Sequence, residues 1–183
     1  MLRLFVGLPV PETAAHAITA CMGGLEGARW VSPENLHLTL RFIGDVDEAA
    51  ASDIDAALGQ ITGDPVEIST TVLGHFGSGR TARNIWLGVD HDHALEHLQA
   101  KIERCLQMAR LEPEHRKFLP HVTLARFPRR DGPSSAAVEH HTQNALIPPR
   151  QSWRADHFTL FESQLGKGQP RYLPMADYSL TGA

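Results

Sequence analysis

The feature that most constrains this chain is a short pattern that occurs once in each half. Residues 37–42 read His-Leu-Thr-Leu-Arg-Phe, and residues 121–127 read His-Val-Thr-Leu-Ala-Arg-Phe. The second histidine follows the first by 84 residues, and the same offset separates Ile18 from Ile102 in the segments before the two patterns. Because two separate segments keep one offset, the sequence indicates an internal duplication.

The first half, about residues 1–80, alternates short apolar runs with amphipathic segments. A helical pattern opens at residue 12 with prolines just before it, and Ala14, Ile18, Cys21 and Leu25 form its apolar face. Acidic residues at 45–48 supply a cap and an acidic first turn for a second helix. The predicted order is a strand at 4–8, a helix at 12–22, a strand at 36–43, a helix ending near 58 and a strand at 66–73.

The second half, about residues 81–183, repeats this order. The patterns predict a strand at 85–89, a helix at 92–110, a strand at 121–127, a helix at 134–145, a strand at 153–161 and a final strand at 171–180. We therefore predict one α+β domain over residues 1–183. It is expected to be bilobal, with two pseudo-two-fold related β-α-β-α-β units and antiparallel-rich sheets around a central cleft.

Strand alternation assigns the motif side chains to faces. In the first motif, His37, Thr39 and Arg41 share one face, and the apolar residues between them face a core. In the second motif, His121 and Thr123 share a face, whereas Arg126 lies five residues from His121 and points away unless a bulge intervenes. The alternation predicts that both His-Thr faces line the cleft.

Two imidazoles and two hydroxyls in one cleft suit phosphodiester hydrolysis. Histidine holds or releases a proton near neutral pH, so one ring can activate water while the other protonates the leaving oxygen. The hydroxyls of Thr39 and Thr123 can donate to the non-bridging oxygens. A single His-x-Thr is typical of an exposed strand, but two copies in matched register favour a catalytic pair: His37 and His121.

With these residues the chain resembles the two-histidine phosphoesterase superfamily. The opening Arg3-Leu4-Phe5-Val6-Gly7-Leu8-Pro9, the Trp86-Leu87-Gly88 strand and the closing Phe158-Thr159-Leu160-Phe161 resemble the RNA 2',3'-cyclic phosphodiesterases, once called 2'-5' RNA ligases. The resemblance implies a bilobal fold, hydrolysis of a terminal 2',3'-cyclic phosphate to a 2'-phosphomonoester, and no metal or other cofactor. It also implies His37 as the proton donor, His121 as the acceptor, and Thr39 and Thr123 as phosphate clamps.

Three further residues are candidates for substrate binding. Arg126 matches a basic position near the substrate in the family that the chain resembles, and Arg41 has the strand parity of His37. Phe42 can stack on a base. The alternatives are a solvated strand-edge arginine for Arg41 and core packing for Phe42.

The composition limits the kinds of partner that the chain can bind. With a net charge of -4, the chain offers no broad cationic face for a long duplex, so we expect it to hold an RNA 3' end or a small nucleotide with a cyclic phosphate. Cys21 and Cys105 form no metal-ligand spacing and fit reduced thiols in the cytoplasm. The apolar N-terminus is too short for a membrane span, and we expect a monomer with no membrane partner.

Several alternatives remain open from the sequence alone. The same fold can serve a phosphodiesterase that acts on a small cyclic or 2'-5' linked nucleotide. A non-catalytic module that binds RNA ends or nucleotides is a second alternative, and a metal-dependent hydrolase is a third. The motifs lack the carboxylates that a metal centre favours, and His93 and His97 on a predicted helix have no evident third ligand.

Overall fold

The structure, a computed structural model, describes residues 1–78, 81–128, 132–145, 148–164, 166 and 170–182. Its elements are helices and strands in the order that the duplication predicts, with additional short strands, so the predicted α+β class is confirmed. In chain order they are β1 (Leu2–Pro9), α1 (Glu12–Thr19), β2 (Arg29–Trp30), a 3-10 turn (Pro33–Asn35), β3 (His37–Val46), α2 (Glu48–Leu58), β4 (Val66–Ser78), β5 (Thr81–Val89), α3 (His93–Met108), β6 (His121–Arg126), α4 (Ser135–Asn144), β7 (Ser152–Ala155), β8 (His157–Gln164) and β9 (Arg171–Ser179).

The strands form one sheet whose order is itself nearly symmetric. It runs β7-β4-β5-β6-β3-β1-β8-β9, with β2 paired to β6, and the paired strands are antiparallel. The motif strands β3 and β6 meet at the centre through the pair Leu38 and Val122, and each has three further strands beyond it. The pseudo-two-fold axis that relates the two halves of the sheet therefore passes between the two motifs.

The two halves of the sheet exchange strands between the sequence repeats. β4 belongs to the first repeat but pairs with β5 of the second, while β8 of the second repeat pairs with β1 of the first. The chain crosses between halves at Asp156, where the single strand predicted at 153–161 is broken. β7 pairs with β4, and β8 pairs with β1, so one continuous strand is impossible there.

The helices bury their apolar faces against this sheet. In α3, Leu95, Leu98, Ile102 and Leu106 are buried, and the Asp92 side chain accepts hydrogen bonds from the first backbone N–H groups. The Asp47 side chain caps α2 in the same way. The four buried residues of α3 join one apolar core with the inward side chains of both motif strands.

α1 is shorter than its apolar pattern predicts. It ends at Thr19, whose hydroxyl donates to the carbonyl of Ala15, and the chain then turns at Gly23 and Gly24, both with positive φ. Leu25 still packs on the core, but from an irregular segment. The two-residue β2 that follows carries no alternation and was not predicted.

The structure bears only in part on three further predictions, which concern the cysteines, a membrane span and a turn. Cys21 and Cys105 are free thiols. No helix among the described residues is long and apolar enough to cross a membrane. The glycines at 166 and 168 predict a hairpin turn over residues 166–169, and residues 167–169 of it lie outside the described residues.

Candidate active site

The two motifs lie side by side on the central strands. Because Leu38 is opposite Val122 in an antiparallel pair, His37 lies next to Thr123, and Thr39 lies next to His121. Leu38 and Val122 are fully buried on the core face, so the two histidines and two threonines project from the opposite face. Within the part of the chain that the structure describes, neither Thr39 nor Thr123 uses its hydroxyl in a protein hydrogen bond. Both hydroxyls are thus available to a ligand.

Both imidazoles are held by the same backbone contact. Nδ1 of His37 lies 2.8 Å from the carbonyl oxygen of Asn35, and Nδ1 of His121 lies 2.6 Å from that of Leu119. A carbonyl oxygen only accepts, so each Nδ1 carries the hydrogen and donates it. In the neutral rings Nε2 is therefore an unprotonated acceptor.

Burial in the pocket favours the neutral form of both histidines. Burial lowers the pKa of His37 to about 4, and the positive charges of Arg126 and His121 add to this, against the opposing hydrogen bond to Asn35. Burial also lowers the pKa of His121, with Arg126 as the charged neighbour. Both rings are therefore neutral bases at pH 7.

Aromatic rings pack around each histidine. Around His37 the ring centroids of Phe5, Tyr172 and Phe161 lie at 4.7, 5.0 and 5.9 Å. Around His121 those of Phe76 and Trp86 lie at 5.1 and 6.0 Å. The sequence analysis missed these five residues as site residues, since they come from five different strands and carry no shared local pattern.

Each motif strand contains a bulge at the same place. In β3 the partner of Val6 is Arg41 and that of Gly7 is Thr39, so Leu40 is an extra residue. In β6 the partner of Ile85 is Ala125 and that of Trp86 is Thr123, so Leu124 is the extra residue. Leu40 and Leu124 are 84 residues apart, and each reverses the alternation of side chains that follow it.

The bulge makes the predicted orientation of Arg41 wrong. Arg41 turns to the helix-covered face, where its Nε lies 2.6 Å from Oε2 of Glu103 in α3 and its Nη1 lies 3.8 Å from Glu114. Its side chain is buried, so it is neither a cleft residue nor a solvated strand-edge residue. The predicted orientation of Arg41 failed because it assumed regular side-chain alternation along β3, which the bulge at Leu40 interrupts.

The second bulge has the opposite consequence for Arg126. It turns Arg126 towards the cleft, where Nη2 lies 3.4 Å from the hydroxyl oxygen of Tyr172. Arg126 is also the cation that lowers the pKa of both histidines. It is therefore a positive charge placed beside the two catalytic candidates.

Phe42 is the counterpart of Arg126 in the first repeat. The residue is 37% exposed, so core packing is the wrong interpretation. The guanidinium carbon of Arg3 lies 5.0 Å from the ring centroid, which is a cation–π contact. Stacking of Phe42 on a base stays a prediction.

The described residues contain no group of three His, Cys, Asp or Glu side chains placed to hold a metal ion. His93 and His97 are exposed on α3. The donors gathered in the cleft are imidazole nitrogens, threonine hydroxyls and a guanidinium.

Comparison with known proteins assigns this arrangement to a family. The family model described as the 2'-5' RNA ligase superfamily matches residues 9–167. The chain belongs to this superfamily. Two relatives are named RNA 2',3'-cyclic phosphodiesterase: one from Thermotoga maritima is 31% identical over 188 residues, covering 99% of this chain and 97% of the relative. The other, from Bacillus subtilis, is 28% identical over 184 residues, covering 97% and 96%.

A solved structure shares the whole fold. The crystal structure of E. coli LigT complexed with 3'-AMP superposes with a TM-score of 0.82 at 25% identity, covering 98% of each chain. Other crystal structures of LigT contain NADP+, ATP or phosphate. The relatives and this structure confirm the predicted bilobal fold and the predicted superfamily. They also confirm an enzyme that hydrolyses phosphodiester bonds, so the non-catalytic alternative is not retained.

Proposed function

We propose that this chain hydrolyses the terminal 2',3'-cyclic phosphate of RNA to a 2'-phosphomonoester, with His37 and His121 as acid and base. The observation that carries the proposal is that two imidazoles project from one face of the paired central strands, each with its Nδ1 bonded to a backbone carbonyl and its Nε2 left as an acceptor. The name shared by the relatives supports the substrate class.

The cleft supplies a role for each polar group. The hydroxyls of Thr39 and Thr123 donate to the non-bridging oxygens of the phosphate, and Arg126 offsets its charge. Nε2 of neutral His121 accepts a proton from the attacking water. Protonated His37, on the other side of the phosphorus, gives its Nε2 proton to the leaving ribose oxygen as the bond to phosphorus breaks.

Substrate binding brings the required proton to His37. Burial and the positive charge of Arg126 hold its pKa near 4, so without a bound anion the ring is neutral at pH 7. A bound phosphodiester anion stabilises the imidazolium and raises this pKa, because an opposite charge nearby favours the charged form. Binding and proton uptake are therefore coupled.

The product of a cyclic substrate tests the orientation of the ribose. If the 3' oxygen faces His37, we expect a single 2'-phosphate product. Phosphorus NMR of the reaction with a short RNA ending in a 2',3'-cyclic phosphate, against 2'- and 3'-phosphate standards, measures it. A pure 3'-phosphate would reverse the acid and base labels, and no turnover would reject the proposed substrate.

We propose that the reaction needs no metal, because imidazolium, guanidinium and hydroxyl donors already surround the phosphate position. Turnover is expected to stay within about twofold after prolonged dialysis against a chelator, since these groups supply the charge stabilisation. The control is a metal-dependent phosphodiesterase treated in parallel. Loss of activity that a divalent ion restores would show that a metal takes part.

A second candidate substrate is a small cyclic or 2'-5' linked nucleotide, favoured by the LigT complexes with 3'-AMP, ATP and NADP+. We further propose a cytoplasmic monomer of one domain. The support is that one chain provides both motif strands and that Cys21 and Cys105 are free.

A further inference from the structure

The structure has a second cationic site beside the histidines. β2 pairs with β6 so that Arg29 lies directly opposite Arg126, and the N–H of Val31 continues the pairing by donating to the carbonyl of Leu124 at 2.8 Å. Two like charges at directly opposed positions destabilise a strand pair. An anion between the two guanidinium groups would remove that cost.

The described part of the chain supplies no group that plays the part of this anion. Among the described residues, no carboxylate forms an ion pair with Arg29 or Arg126. Both side chains are exposed at the mouth of a cavity. The cavity is lined by Arg29, Val31, Asn35, Arg126, Phe127, Pro170 and Tyr172.

The size of the cavity fits a fragment of a nucleotide. Its volume is about 200 Å³, below the roughly 300 Å³ at which pockets begin to enclose whole small-molecule ligands. It suits one phosphate group with part of its sugar. The amide and hydroxyl groups of Asn35 and Tyr172 add neutral hydrogen-bonding partners.

The position of the cavity relative to His37 and His121 determines which part of an RNA substrate can enter it. Tyr172, which lines the cavity, lies 5.0 Å edge-on from the His37 ring, and its hydroxyl contacts Arg126. In the proposed reaction the ribose lies on the His37 side, because its oxygen leaves towards that ring. The next group along an RNA chain from this ribose, in the 5' direction, is a phosphodiester.

We infer that Arg29 and Arg126 bind the phosphodiester that precedes the terminal nucleotide, so that the enzyme selects RNA ends over free cyclic mononucleotides. This inference rests on the proposed function and specifies its substrate. Arg126 lies between two phosphates in this arrangement: the cyclic phosphate sits on its histidine side, among His37, His121 and the threonines, and the preceding phosphate sits on its other side, against Arg29.

The test compares a dinucleotide that ends in a 2',3'-cyclic phosphate with the corresponding cyclic mononucleotide. Wild-type protein is expected to have the higher kcat/KM for the dinucleotide. In Arg29→Gln the ratio of the two kcat/KM values is expected to fall about tenfold, the scale of one lost charge-assisted contact. The salt dependence of dinucleotide binding should weaken in parallel.

A dinucleotide with an uncharged methylphosphonate linkage isolates the charge. It should lose the advantage over the mononucleotide, and Arg29→Gln should no longer change its kinetics. Arg104→Gln, which removes an exposed arginine on α3, is the matched control and should leave the ratio unchanged.

The outcomes separate this inference from the proposed function. An unchanged ratio in Arg29→Gln, with both substrates hydrolysed, overturns the subsite alone. If neither substrate is hydrolysed, the proposed function fails. Calorimetric binding of uncleaved dinucleotides then decides the subsite, since tighter binding of the charged linkage by wild type than by Arg29→Gln supports it and equal binding overturns it.

Discussion

His37→Ala and His121→Ala are each expected to lower turnover of a cyclic-phosphate RNA by about two to four orders of magnitude, the usual loss for a positioned proton-transfer group. The reason is that the proposed mechanism uses Nε2 of His121 to accept a proton and Nε2 of His37 to donate one. Because both rings act in one step, the double variant should be little slower than the slower single variant.

Folding is the control for these variants. His97→Ala removes an exposed histidine on α3 and is expected to retain wild-type turnover. Circular dichroism and thermal melting should show that the His37 variant keeps the fold despite the cavity left beside Phe5 and Tyr172. His37→Gln, which fills more of that space, should be equally inactive. Turnover near the wild-type rate in either catalytic variant would exclude the two-histidine mechanism.

Arg126→Gln is expected to lower kcat/KM by about a hundredfold, the cost of one preorganised donor at a charged transition state. Arg126 faces both histidines and contacts Tyr172, so its loss removes a cation from beside the phosphate without opening the core. Arg154→Gln, at an exposed position on β7, is the matched control for lost charge.

The same variant should move the pH profile. Arg126 lowers the pKa of His37 and of His121, so its removal raises both pKa values. The rate requires one neutral and one protonated ring. Raising both pKa values therefore shifts the whole bell-shaped profile of kcat/KM to higher pH. A profile that stays in place, or moves to lower pH, would show that Arg126 does not act on the histidines.

Much of the site follows from the sequence because it depends on local alternation. His and Thr two residues apart share a strand face whatever the rest of the chain does. The offset of 84 residues identified two such faces as equivalent, and the helical pattern at 92–110 predicted α3. The predicted pairing of His37 with His121 needed nothing beyond these patterns.

The tertiary structure decided what lies around that pair. One extra residue in each strand, Leu40 and Leu124, reversed the faces of Arg41 and Arg126, and a bulge is set by the register of pairing with β1 and β5 rather than by local sequence. The exchange of β4 and β8 brought Phe76 and Phe161 to the cleft. The sequence alone predicted the candidate catalytic pair, whereas long-range strand pairing decided which charge and which aromatic rings surround it, because strand register depends on partners far along the chain.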